Sequence, residues 1–153
     1  MQSPPAARES GAASRDGALP LDEVRLYSRQ LFEALAYCHD EQRVIHRDIK
    51  PSNLLRADNG EVKIADLGVS DEFDGLDARL TATAGTPAFT PPECLNTGTS
   101  GDFSGKAVDI WSLGVTLFCL VTGRLPFPGA TVVEVYDKIT REDPEVKVID
   151  NQT

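Results

Sequence analysis

Residues 46–55 read His46-Arg47-Asp48-Ile49-Lys50-Pro51-Ser52-Asn53-Leu54-Leu55, and the apolar pair Val44-Ile45 directly precedes them. An acid, a lysine and an amide therefore share a short loop between two apolar pairs. A carboxylate can accept a hydroxyl proton, an ammonium can neutralise phosphate charge, and an amide oxygen can bind Mg²⁺. Asp48, Lys50 and Asn53 together thus carry the chemical groups needed for phosphoryl transfer.

The composition is that of an ordinary soluble protein. The chain has 153 residues, of which 41% are hydrophobic and 25% charged, so it is long enough for one domain with a buried core. A formal net charge of −9 argues against binding to nucleic acid or to anionic membranes, because phosphate groups carry the same sign. Solubility alone is the simpler explanation of this charge. We expect neither nucleic acid nor a membrane as a partner.

The ends of the chain and its cysteines indicate a location in the cell. Residues 1–18 are rich in Ala, Ser, Gly, Pro and Arg, which predicts a disordered tail without a secretory signal. The three cysteines are widely spaced and form no C-x-x-C pair, which favours reduced thiols. The folded part is predicted to cover residues 19–140, followed by a loose end at 141–153. We expect a cytoplasmic protein, with the nucleus as an alternative.

Apolar periodicity predicts three helices. One runs from Asp22 to about His39 with Asp22 as its N-cap, and its aromatic residues Tyr27 and Phe32 are expected in the core. Residues 109–121 are apolar on all sides, which predicts a core helix closed by Gly123. The longest uncharged apolar run in this helix has 12 residues, which is too short to cross a bilayer. A further helix is predicted at 131–139.

A β-hairpin is predicted directly after the loop. Two short apolar runs, at residues 53–56 and 61–65, are separated by a turn that contains Asn59-Gly60. Asn-Gly is a strong hairpin signal because both residues tolerate positive φ angles. Such a hairpin would bring Asn53 close to Asp66, as a shared metal site requires.

Other motifs follow the loop in a fixed order. They are Asp66-x-Gly68, Thr86-Pro87, Pro92-Glu93 and Asp109-Ile110-Trp111-Ser112-Leu113-Gly114. The H-R-D-x-x-x-x-N spacing of residues 46–53 is the catalytic-loop signature of protein kinases. With the motifs that follow, residues 19–140 resemble the C-terminal lobe of that family. The resemblance implies an α+β fold, mainly helical with a small β-hairpin, and the N-terminal β lobe would be absent.

The resemblance extends to a type of kinase. Lys50 is similar to the lysine of serine/threonine kinases, since tyrosine kinases usually carry other residues there. Three segments resemble the calcium/calmodulin-dependent protein kinase kinases, which phosphorylate the activation loops of other kinases. These segments are Val62-Lys63-Ile64-Ala65-Asp66-x-Gly68-Val69-Ser70, Thr83-Ala84-Gly85-Thr86-Pro87-Ala88-Phe89 and Phe103-Ser104-Gly105-Lys106-Ala107.

The resemblance also implies roles for single residues. Asp48 would be the catalytic base, and Lys50 would contact the transferred phosphate. Asn53 and Asp66 would bind Mg²⁺, with ATP as the phosphate donor. Arg47 would pair with a phosphorylated activation segment, the name used below for residues 66–93.

Further residues are implied as substrate contacts or supports. Thr86 would lie where the segment presents the substrate hydroxyl, and Glu93 matches the acid of the A-P-E motif. The implied structural supports are His46, Gly68 and Asp109, the last by hydrogen bonds to the loop backbone. Thr81 and Thr83 are candidate phosphorylation sites, although ordinary polar loop residues are an equal alternative.

Several family features are missing or altered. Leu67 replaces the usual Phe of D-F-G, and Pro91 replaces the Ala of A-P-E. The chain has no G-x-G and no lysine before Lys50, so the phosphate-covering loop and its partner lysine are lacking. It also has no recognisable basic amphipathic segment for calmodulin. These departures suggest a kinase truncated at both ends.

Two hypotheses follow for the function. The first is a partial catalytic domain of an ATP-dependent serine/threonine protein kinase, which would act on a protein substrate that could itself be a kinase. The alternative is a non-catalytic kinase lobe that serves as a protein-binding module, with Thr86 and the helix at 131–139 on its docking surface.

Overall fold

The computed structural model describes residues 17–81, 84–95 and 102–144. Within these ranges the helices are α1 (Leu21–Ala36), α2 (Gly105–Thr122) and α3 (Val132–Arg141). The strands are β1 (Val44–Ile45), β2 (Leu54–Arg56), β3 (Val62–Ile64), β4 (Asp71–Glu72), β5 (Arg79–Leu80) and β6 (Phe103–Ser104). They form three two-stranded antiparallel sheets, β1–β4, β2–β3 and β5–β6. The predicted α+β character, mainly helical with a small hairpin, is confirmed.

Helix α1 forms where its periodicity predicts a helix. Val24, Tyr27, Leu31 and Leu35 lie on its buried face, and the helix continues into a π-helical turn at Tyr37–Glu41. The prediction of Asp22 as N-cap is wrong, because the helix begins directly after Pro20 and no side chain caps it. The pyrrolidine ring fixes the φ angle of Pro20 and the chain turns into the helix there.

One aromatic residue of α1 that we expected in the core is not buried. Phe32 is half exposed, while Tyr27 is buried. The buried face of α1 is formed by residues spaced three and four positions apart. Phe32 follows Leu31 by one position and therefore lies outside that face. The prediction that Phe32 belongs to the core is therefore wrong.

The predicted hairpin is confirmed as β2–β3. Leu54 pairs with Ile64 and Arg56 with Val62, so each strand is one or two residues shorter than its apolar run. Gly60 adopts a φ of 83° in the turn, a conformation that favours glycine. The Asn59 side chain accepts a hydrogen bond from the Glu61 backbone at 3.1 Å, which closes the turn locally.

Helix α2 is longer than its apolar run predicts. It begins at Gly105, where the Ser104 side chain accepts a hydrogen bond from the Ala107 backbone, and it ends at Gly123 with a φ of 71°. By length and composition alone this helix could cross a membrane, and the core helix of a soluble protein can meet the same criteria. Its Leu113 is fully buried against α1 residues in the main core cluster.

The burial of α2 is one-sided, although its sequence is apolar all round. Asp109, Ser112, Leu113 and Thr116 are almost completely buried, whereas Ile110 is 51% exposed. The prediction that every side of this helix lies in the core is therefore wrong. Among the described residues, tertiary contacts cover only one side of α2. Apolar side chains on its other side remain exposed because no other described element packs against them.

Strands β4, β5 and β6 lie in segments for which the sequence analysis predicts no strand. Each has two residues, and each pairs with a strand far away in the sequence, as Ile45 does with Asp71 and Leu80 with Phe103. Two-residue strands are too short to show an alternating pattern. These strands form only because the folded chain brings their pairing partners next to them.

The further helix predicted at 131–139 is confirmed as α3. Helix α3 is capped by Thr131 and buries Val135 and Ile139 in a cluster with Phe127. The Pro-rich stretch after Gly85 contains only single 3₁₀ turns, at Pro87–Phe89 and Pro92–Cys94. Most of the predicted tail and of the loose C-terminal end lies outside the described residues.

Candidate active site

Asp109 fixes the backbone at the start of the candidate loop. Its carboxylate is completely buried and accepts hydrogen bonds from the backbone N–H of His46 at 2.8 Å and of Arg47 at 2.7 Å. The φ angle of Arg47 is 71°, a left-handed conformation that costs free energy in a residue other than glycine. The two hydrogen bonds from α2 hold this strained turn in place.

His39 is a partner of Asp109 that the sequence analysis missed. Its Nε2 lies 2.8 Å from an Asp109 carboxylate oxygen, and both side chains are buried. A buried carboxylate needs such partners because desolvation penalises its charge. The signal was present in the sequence, because His39 continues the buried face of α1 four residues after Leu35.

Asp48, Lys50 and Thr86 form one hydrogen-bonded network. The Lys50 ammonium lies 2.7 Å from one oxygen of Asp48 and donates to the Thr86 hydroxyl at 2.8 Å. That hydroxyl donates to the other Asp48 oxygen, also at 2.8 Å. The loop and residue 86 of the activation segment, 38 positions apart, therefore meet at a single carboxylate.

The charge state of Asp48 follows from this network. Burial of the carboxyl acts to raise its pKa, but hydrogen bonds from Lys50, Thr86 and Asn53 together outweigh burial and lower the pKa of Asp48 below its ordinary value. The side chain is mostly buried, at 12% exposure. Asp48 is therefore an ionised carboxylate at neutral pH, and it can accept a proton or a hydrogen bond.

Asn53 presents its amide in one orientation. Its nitrogen donates to the Asp48 carbonyl at 2.8 Å and to the Asp48 carboxylate at 3.2 Å. Because the nitrogen faces Asp48, the amide oxygen faces away, and it takes part in no hydrogen bond among the described residues. A neutral oxygen ligand is thus available beside the loop.

Asp66 lies at the adjoining end of the hairpin. The Ala65 backbone donates to the Asn53 carbonyl at 2.8 Å, so Asp66 follows a residue that is bonded directly to Asn53. Asp66 is exposed and has a φ of 65°. The Gly68 backbone donates to its carboxylate at 3.1 Å, and a Cβ at Gly68 would stand 3.0 Å from that carboxylate. Glycine therefore gives the carboxylate its room.

His46 connects the loop with the hairpin. It is buried at 2% exposure, and its Nε2 lies 3.0 Å from the Ala65 carbonyl oxygen. The Asp48 backbone donates to the other ring nitrogen at 3.3 Å. The imidazole thus spans the space between Asp48 and the residue that precedes Asp66.

Arg47 and Gly85 bring the activation segment against the loop. The Arg47 guanidinium forms an ion pair with Asp71, a partner that the sequence analysis did not consider. Gly85 has a φ of 93°, and a Cβ there would stand only 2.3 Å from the Arg47 carbonyl oxygen. The segment therefore approaches so closely that residue 85 must be glycine.

Some predicted site residues lie apart from this cluster. Glu93 is exposed and forms no ion pair within the described part of the chain. Thr81 is also exposed, and Thr83 lies outside the described residues. Asp48, Lys50, Asn53 and Thr86 meet directly, while His46, Arg47, Gly68 and Asp109 surround them through the contacts given above.

Comparisons with known proteins agree with the motifs in this site. The family model described as "Protein kinase domain" matches residues 7–153. A calcium/calmodulin-dependent protein kinase kinase of Caenorhabditis elegans is 52% identical over 129 residues, 83% of this chain and 24% of that protein. The serine/threonine-protein kinase GRIK2 of Arabidopsis thaliana is 46% identical over 124 residues, 80% of this chain and 30% of that protein.

A fungal relative gives the same picture. The calcium/calmodulin-dependent protein kinase kinase cmkC of Emericella nidulans is 46% identical over 119 residues, 77% of this chain and 23% of that protein. The chain thus spans between about a quarter and a third of the length of these curated relatives. It belongs to the protein kinase family, a family of enzymes. Within that family it is of the serine/threonine type and similar to the calcium/calmodulin-dependent protein kinase kinases.

Proposed function

We propose that this chain is part of the catalytic domain of a serine/threonine kinase that transfers phosphate from ATP to a protein hydroxyl. The observation that supports this most strongly is the network at Asp48, where a carboxylate, an ammonium and a hydroxyl meet within 2.8 Å of one another. A phosphoryl-transfer enzyme needs this set of groups to position a hydroxyl and to balance charge.

Asp48 would act on the substrate hydroxyl. An ionised carboxylate with a lowered pKa is a weak base, which suits the proposed reaction because little proton transfer is needed before the phosphoryl group begins to move. Thr86 now donates to the Asp48 oxygen that an incoming hydroxyl would also approach. Lys50 would neutralise charge that develops on the transferred group, since its ammonium is already held between Asp48 and Thr86.

Asn53 and Asp66 are the proposed Mg²⁺ ligands. Both offer oxygen atoms, the donor type that Mg²⁺ prefers, and the ion is commonly held by one or two protein groups together with substrate phosphates. When bound, Mg-ATP supplies the transferable phosphoryl group and neutralises its charge.

The chain is further proposed to be a C-terminal lobe whose Asp66 side is covered by another part of a kinase domain. Leu55 and Leu67 are each 58% exposed, and Val69 is 40% exposed. These apolar side chains lie on the hairpin and on the residues directly after it, beside the proposed metal ligands. Exposed apolar surface next to a site of this kind indicates a missing contact.

The substrate is proposed to be a protein, and another protein kinase is the best candidate. Two of the relatives described above are named as protein kinase kinases. For this chain the proposal rests on that similarity alone. We propose the cytoplasm, or alternatively the nucleus, as its location.

Nucleotide binding by the 153-residue chain is the first test. Thermal unfolding is measured with and without saturating Mg-ATP, for the wild type and for Asp66→Asn. A ligand at 100 times its dissociation constant stabilises a folded protein by about 2.7 kcal/mol. We expect a rise in the melting temperature that Asp66→Asn abolishes, and Asp58→Asn, an exposed turn residue, is the matched control.

Phosphate transfer is tested separately. With a protein substrate present, Asp48→Asn should keep the nucleotide-induced shift and lose transfer, because its amide cannot accept the hydroxyl proton. A shift that survives in Asp66→Asn would contradict the proposed metal site. Transfer that survives in Asp48→Asn would contradict the role of the base.

The second candidate function is a protein-binding module. It is favoured by Val132 and Val133 on α3, which are 49% and 78% exposed on the helix proposed for docking. A client protein whose affinity is unchanged in Asp48→Asn and Asp66→Asn, but falls in Val133→Asp, would favour this reading over catalysis.

A further inference from the structure

Arg47 already has an anionic partner in this structure. Its guanidinium pairs with Asp71, and the Arg47 side chain is only 14% exposed, against 47% for Asp71. The family resemblance suggests a phosphate as the partner of this arginine, but Asp71 is an unmodified residue near the start of the activation segment. Burying a charged group costs free energy unless a partner compensates the loss of water.

The backbone fixes the position of Asp71. Strand β4 pairs with β1, so that Asp71 stands opposite Ile45, two residues before Arg47. The next turn of the segment is also attached, since the Phe73 backbone donates to the Arg43 carbonyl at 2.9 Å. Arg47 and Asp71 are therefore neighbours by strand register, and their ion pair does not depend on a mobile side chain finding its partner.

Arg47 also contacts the far end of the segment. A Cβ on residue 85 would stand only 2.3 Å from the Arg47 carbonyl oxygen. Gly85 therefore packs directly on the Arg47 backbone.

The middle of the segment is held by unmodified groups as well. The Asp77 carboxylate accepts hydrogen bonds from the Ser104 hydroxyl and from the Lys106 backbone at 3.0 Å. Arg79 pairs with Asp102 at 3.1 Å beside the β5–β6 ladder. Contacts that involve a carboxylate thus join the segment to residues 102–106 at two separate places.

We propose that Asp71 is a positioning residue that neutralises Arg47 and holds the activation segment against the loop without phosphorylation. The carboxylate supplies the negative charge that a phosphate would otherwise bring. This inference rests on the proposed kinase function, because only there does the position of Thr86 matter for a substrate hydroxyl. It predicts that the unphosphorylated chain already has an ordered segment.

The test is amide hydrogen exchange on the 153-residue chain after phosphatase treatment, read over residues 71–81 and 84–95. We expect protection of both ranges in the wild type and about tenfold faster exchange there in Asp71→Asn. Asp71→Glu keeps the carboxylate and should restore most of the protection. Asp74→Asn, an exposed acid in the same segment, is the matched control and should exchange like the wild type.

Three outcomes would overturn the proposal. They are exchange in the phosphatase-treated wild type as fast as in Asp71→Asn, unchanged exchange in Asp71→Asn, and equal acceleration throughout α2. The last would mean that Asp71 supports the whole fold and not the segment. Hydrogen exchange requires neither nucleotide binding nor phosphate transfer, so it can be interpreted even if the kinase assay is negative. Conversely, an exchange result that contradicts the role of Asp71 does not contradict the proposed chemistry at Asp48.

Discussion

The two sides of helix α2 differ in how their polar groups are satisfied. On the loop side, which faces residues 46–55, Asp109 accepts two backbone hydrogen bonds, and the hydroxyls of Ser112 and Thr116 each have two backbone carbonyl oxygens within 3.3 Å. On the cavity side, Trp111, Val115 and Phe118 line a space of about 560 Å³. Among the buried side-chain nitrogen and oxygen atoms of the described residues, only Trp111 Nε1 has no hydrogen-bond partner.

The difference shows what each side requires. The polar groups on the loop side fix backbone positions around Asp48. Fixing a position requires directional hydrogen bonds at defined distances. The cavity side is apolar and needs only to be covered, because hydrophobic contact has no direction. The polar groups on the loop side can therefore be satisfied within the described residues while the opposite side of the same helix stays open.

The largest expected effect is that of Asp109→Ala on the loop side. The substitution leaves His39 and the backbone N–H groups of His46 and Arg47 without their buried acceptor. Loss of one partner from such a buried network costs about 3–5 kcal/mol. Urea unfolding should show this loss. Asp109→Asn should lie between Ala and the wild type, and a loss below about 1 kcal/mol for Ala would contradict the account.

A smaller effect is expected for Thr116→Val, which keeps the shape and removes the hydroxyl. Thr116 donates to the Ser112 carbonyl at 2.8 Å and lies 3.3 Å from the Ile49 carbonyl. A typical buried hydrogen bond contributes about 0.5–1.5 kcal/mol. Denaturation midpoints should fall by the corresponding amount. A variant as stable as the wild type would mean that the bond to Ile49 does not steady the loop.

The matching substitution on the cavity side is Trp111→Phe, which we expect to change the free energy of unfolding by less than about 1 kcal/mol. The lost ring area destabilises the protein, but removing a buried donor without a partner offsets this loss. The stacking on Phe127, with centroids 6.4 Å apart, can continue with a smaller ring. If Trp111→Phe destabilises the chain as much as Asp109→Ala does, the contrast between the two sides is wrong.

The smallest expected effect is on the stability of the protein at acidic pH. The pKa of Asp48 is lowered in the folded state, so its contribution to stability is complete above the ordinary carboxyl pKa of about 3.9 and is lost as the pH falls through the folded value. The unfolding free energy of the wild type should therefore fall more steeply below about pH 4–5 than that of Asp48→Asn. Urea unfolding at several pH values measures both slopes.

Other titrating groups, including Asp77 with its lowered pKa, are present in both proteins and cancel in this comparison. Identical slopes would show that the hydrogen bonds of Asp48 do not hold the folded pKa down. The test thus examines the loop network without requiring nucleotide or substrate.

Much of the site could be predicted because its residues are close in sequence or follow a known order. Asp48, Lys50 and Asn53 lie within six positions, and the Asn-Gly turn places Asp66 next to them. The ion pair of Arg47 with Asp71 could not be predicted, since it depends on a two-residue strand register. His39 continues the buried face of α1 and could have been assigned to the core, but the sequence does not show that its partner is Asp109, 70 positions away.

The sequence by itself determined the three helices, the hairpin and the polar groups of the loop, because periodicity, capping residues and turn residues act over a few positions. Only the tertiary structure decided which side of α2 is buried, which strands of two residues exist, and which acid pairs with Arg47. Those outcomes depend on contacts between residues far apart in the sequence, such as the backbone hydrogen bond from Leu19 to Leu120 in α2, and no local pattern records a distant neighbour.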